Sequence, residues 1–109
     1  GCIVGLRADV MPILQTNHCA QSACHGGKTP VNLPSIEPSD PTATWKAITT
    51  FVLSNGQRYV VTAASDPTAS AMHCNLLGTC GSRMPLGGAL TVAELATVDT
   101  WLSCGAPDN

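Results

Sequence analysis

The chain contains few aromatic residues and no long apolar run. Only 4% of its 109 residues are aromatic, although 44% are hydrophobic. Large rings therefore cannot fill a core, which must consist either of Ala, Val and Leu or of side chains packed round a bound group. No apolar run approaches the ~20 residues that a membrane-spanning helix requires. We therefore expect no transmembrane segment.

Charge is also scarce, and no region is strongly basic. Charged residues make up 11% of the chain, the net charge is −2, and five Lys and Arg residues are scattered from Arg7 to Arg83. Proteins that bind nucleic acid carry clustered basic side chains, so we exclude nucleic acid as a partner. The N-terminus has no charged segment followed by an apolar one, which indicates a mature product or an excised domain. The length predicts a single domain, residues 1–109.

The six cysteines are too many for a reducing cytosol unless they bind something. Cys19 and Cys24 lie beside His25 in a compact cluster. The other four lie near the chain ends or in one short C-terminal stretch, which suits disulfides: Cys2, Cys74, Cys80 and Cys104. Both groups predict a periplasmic or secreted protein.

Apolar spacing predicts two helices in the first half of the chain. The first runs towards Cys19, and Pro12 either kinks it or marks the start of its regular part. Its apolar positions are Leu6, Val10, Ile13 and Leu14. The second is predicted over residues 44–53, and Trp45, Ile48 and Val52 share one face. Residues 26–42, rich in Gly, Pro, Ser and Asn, are predicted to form a loop.

Clearer end signals mark two helices in the second half. Pro67 favours a helix over residues 68–77, which Asp66 is expected to cap. Thr91 and Glu94 form a capping box at the start of the last helix. The apolar stripe of that helix consists of Leu95, Val98, Trp101 and Leu102. We therefore predict an all-α fold of about four short helices and long loops, which need a ligand or cross-link to organise them.

The segment from Cys19 to His25 has the composition of a covalent haem-attachment site. Two thiols add to the vinyl groups of a haem, and the histidine that follows supplies an axial nitrogen to iron. The usual spacing leaves two residues between the cysteines, whereas four separate Cys19 from Cys24. We expect the longer linker to bulge outward and still bridge both vinyl groups. The alternatives are a zinc site that uses His73, Cys74 and Cys80, and a Cys19–Cys24 disulfide beside a bystander histidine.

Further motifs accompany this segment in a definite order. Residues 10–14 precede it, and Gly26-Gly27 and residues 30–33 follow. Residues 65–70, residues 83–88, the capping box and residues 101–107 come later. In this order the chain resembles the bacterial monohaem c-type cytochromes of class I, over nearly its whole length and apart from the cysteine spacing. The resemblance implies a class I cytochrome c-like fold, wrapped round one covalent haem c, in a bacterial periplasmic or secreted protein.

The resemblance also implies a sixth ligand to the iron. In cytochromes of this kind a methionine from a C-terminal loop binds opposite the histidine, and Met84 is the matching residue. Pro85 biases Met84 towards extended backbone, which suits a projecting thioether. His73 is a rival ligand, whereas His18 is too close in sequence to His25 to reach the opposite haem face. Met11 and Met72 fall inside helical patterns and are expected to pack in the core.

Other residues receive supporting roles. In similar cytochromes a proline carbonyl orients the axial histidine, a role that falls to Pro30, and Leu33 packs on the haem edge. Arg58 and Tyr59, together with Trp45, are predicted to lie near the propionates, although Arg58 has a solvated turn position as its alternative.

The remaining four cysteines allow three pairings. The first and last helices cross in this fold type, and Cys2 and Cys104 flank them. Cys74 and Cys80 bracket a short loop ahead of Met84. We therefore favour Cys2–Cys104 and Cys74–Cys80.

The predicted function is electron transfer between redox partner proteins, by a monomer that is not an enzyme. This function requires the protein to bind haem and therefore iron, a metal, with His25 and Met84 as the axial ligands. The alternatives are a haem enzyme or gas sensor with a displaceable sixth ligand, an electron-entry domain of a larger oxidoreductase, and a disulfide-rich binding module without haem.

Overall fold

A computed structural model of the chain describes residues 2–17, 26, 34–62, 65–80 and 89–109. Within these ranges the secondary structure is helical, and only two isolated β-bridges form in place of strands. The α-helices of the described residues are α1 (Met11–Thr16), α2 (Pro41–Thr50), α3 (Ala71–Leu77) and α4 (Val92–Ser103). The prediction of an all-α fold is confirmed at this level.

A wider helical turn precedes α1. Residues Leu6–Val10 form a π-helical turn, and Pro12 then occupies the first turn of α1. In a regular α-helix through this region the proline ring would meet the carbonyl of Ala8, and proline has no N–H to donate. The wider turn before it removes that conflict. Of the two alternatives that the sequence left open, the regular helix begins near Pro12.

Helix α2 begins and ends earlier than the sequence predicted. The Asp40 carboxylate accepts a hydrogen bond from the N–H of Ala43 at 3.1 Å, which starts the helix at Pro41. Val52 lies beyond the end of α2 and forms an antiparallel bridge with Arg58. Its side chain is 46% exposed, so the prediction that Val52 lies on an apolar helix face is wrong. The chain reverses at the turn through Gly56, with φ of +87°, and Val52 pairs with Arg58 across that turn instead of continuing the helix.

The third predicted helix consists of two pieces. Pro67–Ala69 form a 3-10 turn, which the Asp66 carboxylate caps by accepting from the N–H of Thr68 at 2.9 Å. Ser70 is extended and separates this turn from α3. The Ser70 hydroxyl accepts from the N–H of Val61 at 2.8 Å, a bond that a helical Ser70 would not be placed to make. The capping role of Asp66 is confirmed, and the unbroken helix is wrong.

Helix α4 follows the sequence prediction closely. The capping box forms, since Thr91 and Glu94 each accept from the other's backbone N–H, at 3.1 and 2.9 Å. Trp101 is fully buried, and its indole N–H donates to the carbonyl of Pro107 at 3.0 Å. Gly105 has φ of +89°, and a Cβ there would lie 2.9 Å from the carbonyl oxygen of Thr62. The turn after α4 therefore requires glycine.

One hydrophobic cluster joins the described elements. Its buried members are aliphatic and thioether side chains and the ring of Trp101, and the partly buried rings of Trp45 and Tyr59 pack against them. The cluster consists of Leu6, Val10, Met11, Leu14, Ile36, Ile48, Val60, Met72, Leu76, Leu90, Val98, Trp101, Leu102 and Ala106. Met11 and Met72 are 3% and 1% exposed, which confirms their packing role. No described helix is both long enough and apolar enough to cross a membrane.

Candidate functional site

The residues with the strongest functional signal in the sequence lie outside the described ranges. They are His18, Cys19, Cys24, His25, Pro30, Leu33 and Met84. The described residues next to these segments in sequence make contacts with the rest of the protein, and these contacts are described below.

The cysteines fall into the two groups that the sequence predicted. Cys2 is bonded to Cys104 and Cys74 to Cys80, with Cα–Cα separations of 5.8 and 5.4 Å. The favoured pairing is therefore confirmed. Of the six cysteines, only Cys19 and Cys24 lie outside these two disulfides. Disulfides are compatible with an extracellular or periplasmic protein.

Metal binding requires a correction. Among the described residues, no group of three or more His, Cys, Asp or Glu side chains could hold a metal ion. The described residues therefore contradict the prediction of haem and metal binding to this extent; its two ligands, His25 and Met84, lie outside them. The zinc alternative fails as well, because the sulfur atoms of Cys74 and Cys80 are bonded to each other and His73 is paired with Asp99.

A hydrogen bond joins the flanks of the two segments that carry the candidate ligands. Asn17 directly precedes residues 18–25, and Glu94 lies in the first turn of α4, shortly after residues 81–88. The Asn17 side-chain amide donates to the carbonyl of Ile13 at 2.8 Å and to the Glu94 carboxylate at 3.1 Å. The end of α1 is therefore tied to the beginning of α4.

The Glu94 carboxylate is held in its ionised form. Its hydrogen bond from the backbone N–H of Thr91 lowers its pKa below the ordinary value of 4.5, against a smaller opposing effect of burial. Hydrogen bonds from the side chains of Asn17 and Thr91 add to the lowering. At neutral pH this carboxylate is therefore a charged acceptor at the N-terminus of α4, where the helix dipole favours negative charge.

Gly26, the residue directly after His25, is attached to the core by another contact. It forms a parallel β-bridge with Ile36, whose side chain is 6% exposed. The next residue, Glu37, exchanges hydrogen bonds with the buried hydroxyl of Thr44, at 2.8 and 3.0 Å. The backbone immediately after His25 is thereby connected through Ile36 and Glu37 to α2.

Of the residues expected near the propionates, Arg58 and Tyr59 follow the turn at Gly56, and Trp45 lies in α2. Arg58 is exposed, and its guanidinium donates to the carbonyl of Thr49 at 3.4 Å. The Tyr59 ring packs edge-on against Phe51, with centroids 6.0 Å apart. The indole N–H of Trp45 donates to the carbonyl of Ala106 at 2.8 Å, so it is engaged by the backbone. The propionate role of Arg58 and Tyr59 stays a prediction.

His73, the rival ligand, links α3 to α4. Its Nδ1 lies 2.7 Å from the Asp99 carboxylate, and the two side chains are 19% and 34% exposed. A carboxylate only accepts, so Nδ1 carries the proton. Near His73, the hydroxyl and the backbone N–H of Thr68 lower the pKa of Asp66.

Two contacts of this region have no signal in the sequence. Asn17–Glu94 joins residues 77 positions apart, and His73–Asp99 joins residues 26 positions apart. Neither contact follows from helical spacing or from a cap, because each depends on how the helices pack.

Comparisons with protein-family models, with curated proteins and with solved structures find no match for this chain.

Proposed function

We propose that the protein transfers single electrons through one haem c, attached by thioether bonds to Cys19 and Cys24. The observation that carries this proposal is the pairing of the other four cysteines. Covalent attachment of haem uses two thiols and a histidine directly after the second. The two cysteines that lie outside the observed disulfides are the two with that histidine.

We further propose His25 and Met84 as the axial ligands. The chemistry of this donor set fits the group, because imidazole nitrogen and thioether sulfur are the axial donors of electron-transferring haem. When bound, the haem supplies a one-electron iron couple. Met84 would favour the reduced iron relative to a second imidazole, while Cys19 and Cys24 would hold the haem through its vinyl groups and His25 would supply an imidazole ligand.

The fold supports the finer architectural proposal, a class I cytochrome c-like arrangement. The first and last helical regions are joined by Cys2–Cys104 and by Asn17–Glu94. Structural disulfides persist in oxidising compartments, which supports a bacterial periplasmic or secreted location. We propose that the protein acts there as a monomer that docks on redox partner proteins.

The decisive experiment tests whether the haem is covalent. The protein is produced in a host that attaches haem c, extracted with acidified acetone, and weighed intact by mass spectrometry. We expect the mass of the chain plus one haem, and a visible spectrum that changes reversibly on reduction. The paired variant Cys19→Ser with Cys24→Ser should carry none, whereas Cys74→Ser with Cys80→Ser should keep it. Release of the haem from the unaltered protein would contradict the proposal.

A further inference from the structure

We infer that Asn55 is a modification site, at which the side-chain amide is converted into a carboxylate through a cyclic succinimide. The backbone nitrogen of Gly56 is the attacking atom, and water completes the reaction. The inference is independent of haem binding, because it depends only on residues 53–57, all of which the structure describes.

Asn55 lies in the turn that reverses the chain after α2. Leu53 donates its N–H to the carbonyl of Gln57 and accepts from the N–H of Gly56, both at 2.9 Å. Asn55 and Gly56 are exposed, and none of residues 53–57 belongs to the hydrophobic cluster. Exposed turns of this kind open locally at little cost in free energy, so this turn can open without disturbing the core.

The glycine after Asn55 removes the usual obstacle to the reaction. A side chain on the residue that follows an asparagine hinders the approach of its backbone nitrogen, and glycine has none. Gly56 has φ of +87°, and no atom beyond its chain neighbours lies within 4 Å of the place where a Cβ would be. Asn55 is the only asparagine in the chain that glycine follows, so the low hindrance is specific to this site.

The Asn55 side chain curls over the backbone that attacks it. Its Oδ1 accepts from the N–H of Gln57 at 2.9 Å, and the ring that this bond closes contains the Gly56 nitrogen. A donor at this oxygen stabilises the negative charge that develops on it when Cγ is attacked. The N–H of Gly56 is itself bonded to Leu53, and this bond must open before the nitrogen can attack. We therefore expect the folded turn to slow the reaction by the equivalent of one hydrogen bond.

The reaction consumes water and releases ammonia. A base removes the amide proton of Gly56, its nitrogen bonds to Cγ of Asn55, and the side-chain nitrogen leaves as ammonia. Water then opens the ring at either carbonyl. Cleavage between Cγ and the Gly56 nitrogen leaves aspartate at position 55, whereas cleavage at the backbone carbonyl leaves isoaspartate, whose backbone is longer by a methylene. Both products add a negative charge to a chain of net charge −2, close in sequence to the exposed Arg58.

The experiment incubates the intact protein, with both disulfides closed, in mildly alkaline buffer and then analyses its peptides by chromatography and mass spectrometry. The peptide that contains Asn55 should gain the mass difference between an amide and an acid, and should separate into aspartate and isoaspartate forms. Isoaspartate is diagnostic, because direct hydrolysis of the side chain gives aspartate alone. Asn75, which lies in α3 and precedes Leu76, is the internal control and should stay an amide. The same chain unfolded in denaturant should convert about fivefold faster, the size of one net hydrogen bond.

Two substitutions of similar size on either side of Asn55 test the mechanism. Gly56→Ala should lose the conversion, because its methyl group hinders the attacking nitrogen, whereas Ser54→Ala should convert at the unaltered rate. Alanine is disfavoured at the positive φ of Gly56, but a loosened turn would speed the reaction, so a loss of structure cannot imitate the expected result. An unaltered rate in Gly56→Ala or an equal loss in Ser54→Ala would overturn the inference. Conversion only in the unfolded chain, conversion of Asn75 at the same rate, or aspartate without isoaspartate would overturn it as well.

Discussion

The two disulfides have similar geometry and close very different lengths of chain. Cys2 and Cys104 are 102 positions apart, whereas Cys74 and Cys80 are 6 positions apart. In the chain-entropy model a longer closed loop restricts the unfolded chain more. The short disulfide instead fixes the backbone between α3 and residues 81–88, the segment that contains Met84. The comparison indicates that the long bond restricts the whole chain, whereas the short bond restricts only residues 74–80.

Removal of the long disulfide should give the largest change in stability. Replacing both Cys2 and Cys104 by serine should lower the free energy of unfolding by about 4–5 kcal/mol, because the closed loop spans nearly the whole chain. Denaturant titration of both proteins measures this difference. The reduction potential of the folded variant should match that of the unaltered protein. A shift in potential with little loss of stability would contradict the division of roles.

Removal of the short disulfide should show the opposite pattern. Replacing both Cys74 and Cys80 by serine should lower the free energy of unfolding by about 2 kcal/mol, as expected for a closed loop of this length. If the proposed haem is bound, the imidazole affinity of its oxidised iron should rise, because Cys80 directly precedes residues 81–88, which contain Met84. Titration with imidazole and denaturant gives both quantities on one sample. An unaltered affinity would show that this disulfide is only structural.

The features that the sequence predicts correctly are those whose cause is local. The capping box of Thr91 and Glu94 and the cap at Asp66 each depend on hydrogen bonds between residues two or three positions apart. The disulfide pairing is different, because four cysteines allow three pairings. The choice depended on the positions of the cysteines, together with the crossing of the first and last helices that the resemblance implies. That pairing is confirmed by the structure, whereas the class I fold itself stays a proposal.

Features that depend on packing could not be predicted. Val52 continues the apolar face of α2 in sequence, yet the turn at Gly56 places it in a bridge with Arg58. Asn17 carries no signal of its contact with Glu94, because that contact requires α1 and α4 to be adjacent. The candidate ligands His25 and Met84 lie outside the described residues, so their assignment depends on the motif and on the contacts that hold the flanking chain.

The smallest effect should come from His73, whose bond to Asp99 connects α3, beside the short disulfide, to α4, beside the long one. His73→Ala should lower the free energy of unfolding by about 1 kcal/mol, since the two side chains are 19% and 34% exposed and solvent partly screens the pair. Asp99→Ala should cost a similar amount, and the double variant little more, if this single contact is responsible.

The same His73 variant tests the axial ligand against Met84. His73→Ala should keep the sulfur-to-iron absorption of the oxidised protein and its reduction potential, because the imidazole is used to join two helices. Met84→Ala should lose that absorption, lower the potential and open the iron to small ligands, because the thioether that favours reduced iron is gone. Met72→Leu is the methionine control, since Met72 is buried in the core at 1% exposure, and it should leave the spectrum unchanged.

If the His73 variant loses the ligand field and the Met84 variant keeps it, the axial pair consists of two histidines. Electron transfer would then proceed at a lower potential, and α3, held by the short disulfide, would itself carry the sixth ligand.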